Sequence, residues 1–222
     1  MQIQNIAIDG PVASGKTVAG RLVAQKLGWR FLDTGSMYRV VTWVALARQL
    51  DFDDEQALVS LATQMDFRLE GEAGERVLAD GKDVTDSLRA PEVDRAVSKV
   101  AKVAGVRVTM VARQREVALQ APTVVVGRDI GTKVLPDAPV KVFLTASVEE
   151  RATRRHKELS QKGGSLSYEE VRNDLERRDR IDTEREASPL MAATDAVTLN
   201  TDALTIDQVV KRIMEMANDA AS

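Results

Sequence analysis

At 222 residues, 44% hydrophobic and 29% charged, the chain has the makeup of a globular protein with one sizeable core and room for a small subdomain. Its formal net charge of -3 gives no global pull toward polymeric nucleic acid or an anionic membrane. With no cysteine, disulfides, thiol catalysis and cysteine-ligated zinc are excluded, and the single His156 argues against a histidine metal site or triad.

The short apolar run at 5–8 reads as a strand, and it leads within a few residues into Gly10-Pro11-Val12-Ala13-Ser14-Gly15-Lys16-Thr17. This fits G-x-x-x-x-G-K-[ST], the phosphate-binding P-loop. Apolar residues at Val18, Leu22, Val23 and Leu27 then suit a helix packed on a sheet. Strand, glycine loop and helix together form the setting in which backbone N–H groups face an anion. In that setting Lys16 reaches the outer phosphates of a nucleotide and the Thr17 hydroxyl holds a magnesium ion. A strand so close to the start leaves no room for a signal peptide, and no run approaches the ~20 apolar residues of a membrane span. The expectation is a cytoplasmic protein with no membrane partner.

Further along, runs at 29–32, 123–126, 140–144 and 196–199 read as strands, most of them continuously apolar, as strands covered on both faces are. Between them Met37, Val40, Val41 and Val44, then Leu58, Leu61, Ala62 and Met65, recur with helical spacing. Pro91 opens another helix through Val93, Val97 and Val100. Alternating strands and helices argue a parallel sheet with crossover helices. Residues 66–86 break the rhythm. Phe67, Leu69 and Val77 sit in short alternating pieces separated by Gly71, Gly74 and Asp80-Gly81, a pattern of small antiparallel strands.

Ligands collect beyond the carboxyl ends of strands in open α/β sheets. Two such ends are rich in functional groups. After the second strand come Asp33, Thr34, Gly35, Ser36, Met37, Tyr38 and Arg39, with Arg39 placed to clamp a phosphate and Tyr38 to meet a base. After the third come Arg128 and Asp129. A carboxylate there suits either the polar edge of a base or a hydrated magnesium ion, and spacing does not choose. Residues 151–186 mix both charges, so for most of them a solvated helix pair with i,i+4 ion pairs is the reading. Gly163-Gly164-Ser165 offers a flexible tip for an arginine-bearing flap that closes over triphosphate and excludes water.

Taken together, IDGPVASGKT, FLDTGSMYR, VVVGRDIGT, DAPVKVFLTAS and RRDRIDTEREASPL resemble bacterial cytidylate kinases, over nearly the whole chain. The resemblance implies a P-loop NTPase fold of the nucleoside-monophosphate-kinase type. Its parts are a five-stranded parallel sheet flanked by helices, a small antiparallel β insert for monophosphate binding, and a helical lid. The core would span 1–65 and 87–222, with the lid at about 151–186. The β part of the insert would be 66–86, continuing into helices to about 120. The implied substrates are ATP, with Mg²⁺, and CMP or dCMP, and the implied state is a monomer.

Carried over by motif, Gly10 to Thr17 would bind ATP phosphates together with Arg154 and Arg155, and Thr17 would meet the metal. Thr34, Tyr38 and Arg39 would line the CMP site. Ser98, Arg107 and Asp129 would contact cytosine, and Asp182 the sugar hydroxyls. Lys16, Arg128, Arg178 and Arg185 would serve the transferring phosphate. Two alternatives stay open. One is an alcohol kinase of the shikimate-kinase type with Asp33 as base, although Gly35 stands where such kinases tend to carry a second carboxylate. The other is a P-loop switch, although no Asn-Lys-x-Asp guanine reader occurs.

Overall fold

The computed structural model describes residues 4–70 and 76–221. In chain order the elements are β1 (Asn5–Asp9), α1 (Lys16–Leu27), β2 (Arg30–Asp33), α2 (Thr34–Ala47), α3 (Glu55–Gln64), β3 (Phe67–Glu70), β4 (Arg76–Ala79) and β5 (Lys82–Asp83). There follow α4 (Pro91–Lys102), α5 (Ala104–Ala118), β6 (Thr123–Gly127), β7 (Val140–Thr145), α6 (Val148–Gln161), α7 (Tyr168–Glu184), β8 (Val197–Asn200) and α8 (Ile206–Ala221). The five runs expected as strands are the five strands of one all-parallel sheet, in the order β2-β6-β1-β7-β8. So β2, which carries Asp33, is separated from the P-loop strand by β6.

The apolar runs feed two cores because successive side chains of a strand face opposite ways. Ile6 and Ile8 of β1 and Val124 and Val126 of β6 pack with α1 and α8. Ala7, Leu32 and Val125 face the other way, against α2 and the helices α3 to α5. One helical expectation needs correction. Val18 is about half exposed, and α1 buries Ala19, Gly20, Val23 and Ala24 instead. The helix lies too close to the sheet for larger groups: a Cβ on Gly20 would sit 2.5 Å from Val126 Cγ1.

The irregular stretch forms a separate antiparallel sheet of β3, β4 and β5, with Phe67 opposite Ala79 and Leu69 opposite Val77. The turn expected at Gly71 and Gly74 lies outside the described residues. α6 and α7 pack together through Ala152, Val171 and Leu175, and Val12 and Ala13 of the P-loop pack against this pair. No described helix is long and apolar enough to cross a membrane.

Candidate active site

The P-loop turns on backbone that side chains rarely adopt. Gly10 and Gly15 have φ of 150° and 89°, and Ala13 reaches 60°. At Gly10 a Cβ would also lie 2.1 Å from the carbonyl oxygen of Leu144, so only glycine fits there. Lys16 begins α1, and its Nζ donates to Pro11 O at 2.8 Å across the loop. Burial, followed by the nearby Arg128, lowers the pKa of this ammonium well below the usual lysine range. An anion in the loop would relieve both effects. The Thr17 hydroxyl donates to Asp33 Oδ2 at 3.3 Å, while Asp33 Oδ1 accepts from Gly35 N and caps α2.

Beyond the loop opens a cleft of about 700 Å³ at the carboxyl ends of β1, β2 and β6. Eleven Lys and Arg residues line it against four Asp and Glu. On a chain of net charge -3 this concentrates positive potential at one place and selects an anionic ligand. The charges come from separate elements: Arg39 from α2, Arg107 from α5, Arg128 from the end of β6, Arg154 and Arg155 from α6, and Arg178 from α7, with Arg185 just after it.

Carboxylates arrange these guanidinium groups. Asp182 accepts from Arg128 Nε at 2.8 Å and lies 3.6 Å from Arg185. Burial alone would raise its pKa, but Arg128 and Arg185 outweigh it and hold the carboxyl below the usual range. Asp129 pairs with Arg107, whose guanidinium also stands 5.4 Å from the centre of the Tyr38 ring. Burial pushes the Tyr38 phenol up to about 12. Buried donors remain to be matched: Arg107 Nε, Arg178 Nε and Arg185 Nη2 have no hydrogen-bond partner among the described residues. A buried N–H without an acceptor is costly, so these three guanidinium groups are incompletely satisfied by the described residues.

Residues 6–219 match the family model for cytidylate kinase. The chain belongs to the cytidylate kinase family. A cytidylate kinase of Geobacillus sp. (strain WCH70) is 49% identical over 215 residues, covering 96% of each chain. One from Enterococcus faecalis (strain ATCC 700802 / V583) is 46% identical over 213 residues, covering 96% of this chain and 94% of that one. Among solved structures, an uncharacterized protein from Eubacterium ventriosum ATCC 27560 aligns with a TM-score of 0.54 at 12% identity, over 98% of this chain and 99% of that one, a likeness of fold alone.

Against this cytidylate kinase frame, nearly all of the residues expected at the site share the one cleft. Thr34, Tyr38, Arg39, Ser98, Arg107, Asp129 and Asp182 all line it, as do Lys16, Thr17 and the named arginines. Gly10, Pro11 and Ser14 do not; Gly10 packs against the carbonyl of Leu144 and Pro11 O accepts from Lys16, so these two shape the loop. Two further carboxylates escape the sequence reading. Asp9 ends β1 and accepts from the backbone N–H groups of Ile130 and Gly131, each at 2.8 Å. It thereby fixes the π-helical turn Ile130–Val134 that follows Asp129. Asp94, in the first turn of α4, accepts from Arg39 at 2.6 Å and from Arg155 at 2.9 Å. Both lie inside otherwise ordinary strand and helix patterns; the only signal at Asp94 is an acidic residue in a helix's first turn.

Proposed function

We propose that the cleft transfers the γ-phosphoryl group of ATP to CMP, and also to dCMP, giving ADP and CDP or dCDP. The observation that carries this reading is the set of arginines from separate elements that converge on a strongly positive cleft beside a P-loop. Moving a phosphoryl group is mostly positioning and charge neutralisation, and converging arginines supply both. A phosphate oxygen of CMP attacks the γ-phosphorus while its bond to the bridging β,γ oxygen breaks, and ADP leaves with that electron pair. The acceptor phosphate has a second pKa of about 6 and is already largely dianionic near neutrality, so no general base is required.

In this reading Lys16 and the backbone of Gly10 to Thr17 hold the ATP phosphates, with Arg154 and Arg155 from α6. Arg39 takes the acceptor phosphate, with Thr34 and Tyr38 beside it. Ser98, Arg107 and Asp129 read cytosine, and Asp182 takes the sugar hydroxyls. Arg128, Arg178 and Arg185 neutralise the charge that develops during transfer. The helix pair α6–α7 acts as lid and β3 to β5 with α4 and α5 as the monophosphate-binding insert.

Mg²⁺ fits the residues present. The Thr17 hydroxyl and Asp33 meet in the cleft, and a magnesium ion that takes most of its ligands from phosphates and water needs little more. When bound, the ion screens the phosphate charge. An alcohol kinase with Asp33 as base is less suited, because both oxygens of Asp33 already bond to Gly35 N and Thr17. We further place the enzyme in the cytoplasm as a monomer.

The test is a coupled ADP-release assay with ATP and Mg²⁺ against CMP, dCMP, UMP, AMP, GMP and shikimate. Turnover with CMP and dCMP far above the rest is expected. Preference for another nucleotide would overturn the base-reading roles, and activity on shikimate alone would replace the whole reading.

A further inference from the structure

Asp94 belongs to no wall of the cleft, yet its carboxylate joins three parts of the molecule that meet there. One oxygen, Oδ1, accepts from Arg39 of α2 at 2.6 Å and lies 3.9 Å from Arg178 of α7. The other, Oδ2, accepts from Arg155 of α6 at 2.9 Å. All three arginines line the cleft. Their other described contacts do not reach across the cleft to one another: Arg39 also donates to Leu88 O, while Arg155 donates to Glu158 and Arg178 lies 3.8 Å from Asp174, each about one turn along its own helix. Asp94 is therefore the side chain that links the acceptor-side arginine to α6 among the described contacts.

Electrostatics give the link its direction. Three guanidinium groups brought together repel one another, and a single carboxylate among them reduces the repulsion without cancelling it. Three positive charges and one negative leave two positive, the complement of a dianionic phosphate. Burial would raise the pKa of Asp94, but Arg39, Arg178 and Arg155 hold it below the usual carboxylate range, so the carboxylate is charged at neutral pH. A ligand that draws Arg39 into place therefore pulls, through two oxygens of one carboxylate, on Arg155.

We propose that Asp94 is a positioning residue that couples the two nucleotide sites: occupancy at Arg39 sets Arg155 on the α6–α7 pair, and occupancy at Arg155 sets Arg39. This rests on the assignment of Arg39 to CMP and Arg155 to ATP. Coupling between sites is reciprocal, so each nucleotide tightens the other by one factor, typically about fivefold or more.

The experiment is isothermal titration of CMP into the full chain, with and without a saturating non-hydrolysable ATP analogue. The unaltered chain, Asp94→Asn and Asp94→Ser are compared. In the unaltered chain the analogue is expected to tighten CMP by at least about fivefold. In both variants that factor should fall toward one while each nucleotide alone still binds. A merely structural role would lower the competent fraction and leave the factor intact. Coupling that persists in either folded variant, or is absent from the unaltered chain, overturns the proposal. A chain that binds no CMP under either condition overturns the functional reading instead, and the two failures are thus distinguishable.

Discussion

Lys16 and Arg39 carry one positive charge each, but their surroundings differ, and so should the consequences of removing them. Lys16 is buried against the loop and, among the described residues, donates to the carbonyl of Pro11. Arg39 comes from α2 and is shared between Leu88 O and Asp94. Lys16→Ala should lower kcat/KM by about 10³-fold, because a preorganised donor is lost where charge develops. Arg39→Ala should raise the KM for CMP by ~100-fold while that for ATP moves little, since one partner of a charge-assisted pair costs roughly 2–5 kcal/mol. Steady-state kinetics varying each nucleotide separately read both effects. Equal loss of CMP and ATP use in Arg39→Ala would remove Arg39 from the acceptor side. The P-loop and the strand-end clusters at Thr34–Arg39 and Arg128–Asp129 were legible in the sequence because strand ends and glycine loops are local patterns. Asp94 and Asp9 were not. Their partners lie 55 and 121 residues away, and nothing in the neighbouring letters marks a carboxylate that serves a distant arginine or turn.

At the scale of elements, the charged stretch 151–186 shows where local reading reaches its limit. Its helices carry the expected surface pairs, such as Arg172 with Glu176. Yet Arg151, Arg178, Asp182 and Arg185 are buried, because α6 and α7 lie over the P-loop and the cleft. Arg151 donates to Val12 O at 3.2 Å and pairs with Asp179 at 2.6 Å, tying loop and helix pair together. The start of α7 depends on a reciprocal cap: Ser167 accepts from Glu170 N, and the Glu170 carboxylate accepts from Ser167 N. Ser167→Ala removes the side-chain half of that cap and should cost about 1 kcal/mol. In a chain of this size the loss corresponds to a Tm lower by roughly 2–4 °C. Hydrogen exchange should quicken first in the opening turn of α7, while β1 and β6, buried throughout, hold their protection. A drop in Tm with uniform loss of protection would show that the helix pair and the sheet unfold as one unit.

Across the whole molecule, one buried carboxylate links the central strand to the turn that presents Asp129. Asp9 is buried at the end of β1, and burial raises its pKa to about 6, against the opposing effect of the Gly131 and Ile130 N–H groups. The sign follows from linkage. A carboxyl that binds its proton more tightly when folded favours the native state fully below its unfolded pKa of about 4, and that contribution is lost as pH rises through about 6. A pKa that moves from about 4 to about 6 on folding corresponds to roughly 3 kcal/mol. The carboxylates of Asp94 and Asp182, held below the usual range by arginines, act in the opposite sense and mostly at lower pH. Between pH 4 and 6, Asp9 therefore contributes a slope of its own, which a comparison with a chain lacking that carboxyl isolates. Asp9→Asn removes that titration and leaves a side chain of the same shape. Its amide places a donor toward one of the two N–H groups, a cost that does not vary with pH. Denaturant unfolding at pH 4.5 and pH 7 should then show Asp9→Asn gaining stability relative to the unaltered chain as pH rises, by about 2 kcal/mol, the part of the full contribution that falls within that window. A difference that stays flat across that window would mean Asp9 ionises in the fold as readily as in water. The two N–H groups would then outweigh burial, and the turn before Val134 would be anchored by a full charge rather than by a carboxyl near its midpoint.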